Sequence, residues 1–487
     1  MIALKRATTY FNDVMLLVSG TTASQIIIVL SYPFITRLFS PEDFGILAVF
    51  TSLVVIIAVV ICLRYDAAIM LPAADEDAAN LVAGSLGIAT IISILSIPLV
   101  WLFGPTIAAW LHQPSLAVYL WLVPPILFFG GMGTGHPALN AWAIRKKRYA
   151  TIASTRVADA AVTAAGQLGA GWLGFASAGS LIGATLLGAT VSPLVLGVQI
   201  WRKYGKLFRE SISFQSIIDN LKRYYKFPVF STGSTLLNQI SWQLPSFMLA
   251  IFFSADIVGF YALGFRILQL PMSLVGTAIS QVFFQRSSEA HKHGKLAPVV
   301  DEAFHRLVLL GLFPMLTLTV VGKTLAVVAF GEAWAEAGVY TQILGIWAFF
   351  WFISTPMSNL FFVLEKQEFL LRINVLLLIT RLISLGLGGY LGSARIALML
   401  FAGTGVLVYG YLCISILMHS GTALPRIGSI FLQALYYFLP FGITLFLLVI
   451  LYPNSLIVVA AALASFVAYS GILWFRQPEL VRGLVRR

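Results

Sequence analysis

Charge is what this 487-residue chain has least of, with 10% of its residues Asp, Glu, Lys or Arg, where a water-soluble domain carries about 25%. A globule needs that charge to keep its surface in water, so a soluble fold is excluded. Cysteine is scarcer still. The two present, Cys62 and Cys413, lie inside apolar runs, which excludes a disulfide framework and leaves them as small apolar residues. No polar stretch is long enough to fold alone, since the longest, 201–228 and 284–305, run only about two dozen residues each. No Gly-rich loop ends in the Lys-Ser/Thr pair that cradles ATP phosphates, so any work done on a substrate is expected to draw on gradients or substrate supply. Gly169-Ala-Gly171-Trp-Leu-Gly174 matches a dinucleotide fingerprint by letter, but it lacks a preceding strand and an acidic partner. His291 and His293 have no further ligands nearby, and Asp75-Glu76-Asp77 reads as a charged turn, so neither a metal site nor a catalytic residue is expected.

Apolar residues fill the space that charge leaves, at 59% of the chain, in runs of the roughly 20 residues that cross a bilayer as a helix. Spans are predicted near 14–37, 44–71, 81–103, 116–135, 151–173, 176–200, 229–253, 257–283, 306–330, 339–363, 370–391, 395–418, 432–452 and 455–475. The N-terminus runs into a full-length span without a small-residue cleavage site, so no cleaved signal peptide is expected. The net charge of +12 sits in short clusters between spans, which marks loops on the cytoplasmic face and not a nucleic-acid surface. With both termini inside, roughly two dozen basic residues fall on the cytoplasmic side and about three outside. Within 201–228, Ile217, Ile218, Leu221, Tyr224 and Tyr225 recur at helical spacing opposite a polar face, the pattern of an interfacial helix.

The two halves repeat. A constant shift pairs Thr21 with Thr235, Gln25 with Gln239, Ser40 with Ser254, Gly45 with Gly259 and Ala48 with Ala262; small insertions carry the register on to Asn140 with Asn359 and Lys147 with Lys366. Six spans per half is an even number, so the repeats are parallel about an axis along the membrane normal. The expected fold is therefore an all-α integral membrane protein of about 14 transmembrane helices. It would comprise an N-lobe at 1–200, a linker at 201–228, a C-lobe at 229–419, and an extra helix pair with a basic tail at 420–487, the lobes enclosing a central cavity.

Ionisable groups inside spans are the strongest local signal, because an arginine at bilayer depth costs about 2.5–3.5 kcal/mol on insertion scales and normally faces a partner or a wet cavity. Arg64, Arg156, Arg266 and Arg381 meet that test, two in each half, and guanidinium forks suit a phosphate. Each has a second reading, as a side chain near a helix end that snorkels to the headgroups. Asp66 and Asp159 lie two and three residues beyond Arg64 and Arg156, so the second pair shares a helix face and the first is only loosely juxtaposed. Both aspartates are candidates for ion coupling, or for static pairs that make burial cheaper. Gln25 and Gln239 are candidates for sugar hydroxyls, or for helix-to-helix hydrogen bonds. Gly133 and Pro137 in a Gly-rich stretch, with Pro245, Pro271 and Pro356, are hinge candidates, or packing kinks.

Three stretches, Thr36-Arg-Leu-Phe-Ser-Pro-Glu-Asp-Phe-Gly45, Arg64-Tyr-Asp-Ala-Ala-Ile-Met-Leu-Pro72 and Arg266-Ile-Leu-Gln-Leu-Pro271, resemble the Wzx-type polysaccharide and O-antigen flippases. These belong to the multidrug/oligosaccharidyl-lipid/polysaccharide exporter superfamily. The resemblance covers about residues 10 to 420 and implies a two-lobed bundle in the bacterial inner membrane. Such a bundle moves an undecaprenyl-pyrophosphate-linked oligosaccharide, a unit of O-antigen or exopolysaccharide, between leaflets by alternating access. It also implies that Arg64 and Arg266 meet the anionic ligand, while Arg156 and Arg381 rest on membrane position alone. Members often have twelve spans, so 432–475 is a departure. No cofactor is expected, proton or sodium coupling stays open, and the partners implied are membrane lipids, a polysaccharide polymerase and chain-length machinery. The competing readings are a multidrug cation antiporter of the same superfamily and a membrane glycan polymerase. The second would call for catalytic carboxylates that the sequence does not display.

Overall fold

A computed structural model describes residues 2–131, 135–422 and 424–476. The hinge candidate Gly133 and the basic tail from 477 onward lie outside the described residues. Most predicted spans are helical through most of their described length, and no strand occurs among the described residues. Among the described residues, nine helices are long and apolar enough to cross a membrane by length and composition, with a shorter apolar stretch at Leu116–Phe128.

The chain divides into two compact units, Met1–Val258 and Gly259–Arg487. The first holds α1 (Ile2–Leu38), α2 (Pro41–Ala58), α3 (Tyr65–Ala68), α4 (Asp75–Trp110), α5 (Leu116–Tyr119), α6 (Val123–Phe128), α7 (Pro137–Arg145), α8 (Tyr149–Trp172), α9 (Ala178–Ser211), α10 (Phe214–Arg223) and α11 (Thr232–Phe252). The boundary falls inside α12 (Ala255–Pro271), so α11, which the sequence assigns to the C-lobe, belongs to the first unit. Within the first unit α11 packs on α2, where the Ser52 hydroxyl donates to Gln243 Oε1 at 3.0 Å. The long helices α8 and α11 fall below the apolarity of the nine spans, because they carry Arg156, Asp159, Asn238, Gln239 and Gln243.

Two predicted spans are not continuous helices. The stretch predicted at 44–71 breaks at Ala58 and passes through Leu63 (φ 45°) and Arg64 (φ 62°), both left-handed, before α3 begins. The stretch at 116–135 is short pieces ending in Gly130 and Gly131 at positive φ. Hydrophobicity fixes which residues avoid water, but these reversals depend on backbone conformations that a hydropathy profile does not encode.

After α12 (Ala255–Pro271), the second unit holds α13 (Thr277–Lys292), α14 (Leu296–Phe330), α15 (Ala335–Met357), α16 (Leu360–Val363), α17 (Gln367–Tyr390), α18 (Ala394–Ser420), α19 (Leu424–Leu451) and α20 (Leu456–Arg476). Helix α15 is its core, packed on α14 and α18 and carrying the buried rings of Trp347 and Trp351, stacked at 5.6 Å. The extra pair α19–α20 is part of this unit. The Tyr469 hydroxyl donates to the Leu309 carbonyl at 2.7 Å, its ring stacks on Phe313 at 4.5 Å, and Val321, Leu445 and Val458 close a small core. The apolar side chains left exposed on α4 and α19, such as Trp101 and Phe446, suit a lipid solvent, where no hydrophobic penalty attaches to them.

The repeat is visible in matching turns. Helices α8 and α17 are each 24 residues. Each follows a tight turn on a left-handed residue, Lys147 (φ 54°) and Glu365 (φ 55°), and each ends before a left-handed glycine, Gly174 and Gly392. At these ends Phe175 N–H donates to Ala170 O at 2.9 Å and Ser393 N–H to Gly388 O at 3.2 Å, the long backward bond of a Schellman cap. The structural register therefore pairs Lys147 with Glu365, one residue before the Lys366 match read from the sequence. It also makes Thr163 of α8 the repeat equivalent of Arg381 of α17.

Candidate functional site

The broken second span builds a cavity in the first unit. Where α2 ends, the chain turns through 59–64 into α3, and a space of about 470 Å³ opens between these segments, α7 and α11. Its apolar floor is Val55, Ala58, Val59, Ile61 and Cys62; its polar lining includes Arg64, Asp66, Asn140, Thr235 and Gln239. Two of these leave polar atoms unsatisfied. Arg64 Nε and Asn140 Oδ1 are buried without a hydrogen-bond partner, each at a cost of about 1–3 kcal/mol if nothing fills the need. Those two atoms are closed off, and what Arg64 and Asn140 bring to the lining is a guanidinium and an amide, groups able to pair with an anionic oxygen and with a hydroxyl.

Backbone strain aims Arg64. An L-residue in the left-handed region costs about 1–2 kcal/mol, and such outliers persist only where the surroundings hold them. Here the surroundings are specific. Tyr65 N–H donates to Cys62 O at 2.9 Å and the Tyr65 hydroxyl to Leu221 O of α10 at 3.0 Å. Downstream, Arg145 at the end of α7 donates to Ile69 O at 3.1 Å, Ala74 O at 3.2 Å and Asp75 Oδ1 at 3.1 Å, and Lys146 also pairs with Asp75. These bonds staple the 69–75 segment to α7. Because of the left-handed turn, Arg64 Nη1 comes within 3.8 Å of Asp66 Oδ2, although a two-residue spacing on a helix would separate them.

The structure thus gathers Arg64, Asp66, Gln239 and Pro137 at one cavity. Pro137 is the first residue of α7, behind an N-cap in which His136 Nδ1 accepts from Ala138 N–H at 3.3 Å, so it starts a helix and does not kink one. Other candidates lie elsewhere. Arg156 donates to the Thr21 hydroxyl at 2.6 Å, linking α8 to α1, and Asp159 accepts from Thr163 at 3.4 Å. No ion pair joins Arg156 to Asp159 among the described residues, although their spacing favours one. Gln25 is half-buried on α1, away from the cavity lining.

In the second unit Arg381 is buried, donating to the Tyr409 hydroxyl at 3.3 Å with its guanidinium over Phe401. Arg266 is half-buried on α12. Pro245 and Pro356 lie inside continuous α11 and α15, whereas Pro271 ends α12 at a π-helical turn, Met272–Gly276, a local widening often found at functional sites. Sequence reasoning missed Asn140 as a cavity residue and Arg145, Tyr65 and Gln243 as its supports. Asn140 had a signal, its repeat partner Asn359, which donates to Ser280 at 2.9 Å in its own unit.

A family model described as "Polysaccharide biosynthesis protein" matches residues 34–339, more than half of the chain and the whole of the cavity lining. The chain belongs to this family. Among curated relatives of this polysaccharide biosynthesis family member is the teichuronic acid biosynthesis protein TuaB of Bacillus subtilis (strain 168). It is 23% identical over 154 residues, and the alignment spans 31% of each chain, about a third of that protein's length. The fold is shared with solved transporters. The lipid II flippase MurJ in an inward closed conformation matches at TM-score 0.67 and 12% identity, covering 95% of this chain and 99% of that one. An inward-facing MATE multidrug transporter of the MOP superfamily matches at 0.56 and 16%, covering 85% and 94%. The Vibrio cholerae MATE transporter VcmN matches at 0.53 and 16%, covering 86% and 98%. The family member is therefore a multi-pass membrane protein with the fold of the flippases and exporters of that superfamily.

Proposed function

We propose that this protein is a flippase for an undecaprenyl-pyrophosphate-linked oligosaccharide. It takes this lipid from the cytoplasmic to the periplasmic leaflet of a bacterial inner membrane by alternating access and hands it to the polymerase and chain-length machinery. The observation that carries the reading is the cavity itself, lined by the guanidinium side chain of Arg64 and the amide side chain of Asn140. Pyrophosphate answers the first, a sugar hydroxyl the second, and Gln239 adds a further donor and acceptor. Binding needs no covalent chemistry: the guanidinium neutralises the headgroup while the polyprenyl tail stays in lipid. Asp66 competes for Arg64 at 3.8 Å, which gives proton or sodium coupling a place to act, since neutralising Asp66 frees Arg64 for the ligand. Arg266, Arg381, Arg156 and Asp159 are secondary candidates for the later stages of the cycle. The MATE fold and the Asp66 carboxylate favour a second reading, export of an organic cation. Binding in nanodiscs separates the two. A lipid pyrophosphate oligosaccharide that binds wild type and is lost on Arg64→Gly supports the flippase, whereas an organic cation that binds tightly and is lost on Asp66→Asn supports the exporter.

A further inference from the structure

The corner where α9 meets α10 has two contrasting faces. Its inner face is tied down: Asn80 Nδ2 donates to Ser211 O at 2.9 Å, Ser213 N–H donates to Asn80 Oδ1 at 3.3 Å, and Asn220 Nδ2 donates to Asp77 Oδ1 at 3.3 Å. Ile217 and Leu221 close over Gly84 of α4 so tightly that a Cβ there would stand 3.2 Å from the Ile217 methyl. Among the described residues no such bond to another helix ties down the outer face, where Lys206 pairs with Glu210 at 3.8 Å and Gln215 donates to Asp219 at 3.0 Å. Lys203, Lys206, Arg209, Lys222, Arg223 and Lys226 are all exposed there, against the acids Glu210 and Asp219. Between them stand Trp201 at 52% exposure and Phe214 at 80%. Arg209 lies over the Trp201 ring at 5.1 Å and Arg223 over Tyr224 at 5.5 Å.

We propose that this outer face binds the headgroups of anionic phospholipids at the membrane surface. Topology asks for cations in such a loop and the aromatic belt for a tryptophan near them, but neither asks for a short helix, held through Asn220 and Leu221, that leaves Phe214 exposed together with Lys222 and Arg223. That combination is the form of a surface-lying amphipathic helix, whose rings enter the acyl boundary while its cations meet phosphodiesters. One inner-face bond gives the surface a use. The Tyr65 hydroxyl donates to Leu221 O, and Tyr65 sits between the cavity residues Arg64 and Asp66, so lipid that holds α10 also steadies the turn that presents Arg64.

The test uses the full chain with a fluorophore at one site. Both native cysteines are buried, so a Gln215→Cys variant takes an environment-sensitive nitrobenzoxadiazole label on the exposed face of α10. It is reconstituted into nanodiscs of phosphatidylcholine alone or with added phosphatidylglycerol. The expected result is a blue shift with protection from aqueous iodide only in phosphatidylglycerol discs, reversed by high salt. The shift should be lost in the Lys222→Gln/Arg223→Gln/Lys226→Gln variant and, separately, in Lys203→Gln/Lys206→Gln/Arg209→Gln, so that one misfolded variant does not decide the outcome. A Lys292→Gln/Lys295→Gln control in the second unit should keep it. Equal emission in both disc types, a shift that survives both triple variants, or the same shift from free glycerophosphoglycerol in phosphatidylcholine discs would overturn the proposal. Because the readout is lipid contact, its failure is separate from failure of oligosaccharide binding at Arg64.

Discussion

Replacing Arg64 with glycine separates backbone strain from charge. Arg64 holds φ 62° and ψ 12° with Leu63 beside it at φ 45°, and a left-handed L-residue costs about 1–2 kcal/mol. Glycine removes that cost, offset by about 0.5–1 kcal/mol for its greater freedom in the unfolded chain, so stability should hold or rise by up to roughly 1 kcal/mol. Ligand binding should move the opposite way. Hydrogen bonds to a charged group contribute about 1.5–3 kcal/mol, so losing the guanidinium should weaken the lipid pyrophosphate oligosaccharide by about ten- to a hundredfold. Arg64→Ala removes the same charge but keeps the strain, so it should bind as poorly and melt lower than Arg64→Gly. Thermal unfolding and nanodisc binding on the three proteins, at several salt concentrations, make the comparison. A clear drop in melting temperature for Arg64→Gly, or unchanged affinity in both variants while wild type binds, would refute the reasoning.

Other substitutions probe the supports. Arg145→Ala unpins the 69–75 segment from α7, and at about 1.5–3 kcal/mol for charge-assisted bonds it should expose that segment to limited proteolysis; Arg145→Lys should rescue little, since one ammonium does not reproduce the guanidinium fork on two carbonyls and Asp75. Gln243→Leu breaks the 3.0 Å bond with Ser52 and should cost about 1 kcal/mol, read as a lower unfolding midpoint. Tyr469→Phe keeps the ring on Phe313 but leaves the Leu309 carbonyl without its 2.7 Å donor; it should lower stability by about 1–3 kcal/mol and leave oligosaccharide affinity unchanged. Asp66→Asn removes the carboxylate 3.8 Å from Arg64 and should tighten pyrophosphate binding by roughly 0.2–1 kcal/mol, measured as a lower Kd.

Much of the fold was legible because lipid imposes a simple code. An apolar run of span length is a helix in a bilayer, and the predicted spans are helical apart from the breaks at 59–64 and within 116–131. The repeat was legible too, from residues such as Ser40 and Ser254 that stand at helix starts: Ser40 caps α2 with Asp43 in a capping box, and Ser254 precedes α12. Its register slipped by one at Lys147, because the repeating feature there is a left-handed backbone, which glutamate at 365 adopts as readily as lysine. The cavity was only half legible. Arg64 and Gln239 were visible as polar residues in apolar runs, but their meeting depends on the left-handed break after α2, for which the sequence supplies no glycine. Arg381 was visible in the same way, but the partners it meets, Tyr409 and Phe401, come from α18, which no spacing along α17 announces.

The central claim is translocation, and proteoliposomes test it most directly. Polyprenyl pyrophosphate oligosaccharide is incorporated with the protein, and the fraction of glycan reachable by an external glycosidase is followed over time. The account predicts protein-dependent exposure of the inner-leaflet glycan that is lost with Arg64→Gly. No exposure with wild type, in vesicles where the same protein carries an organic cation across, would contradict it.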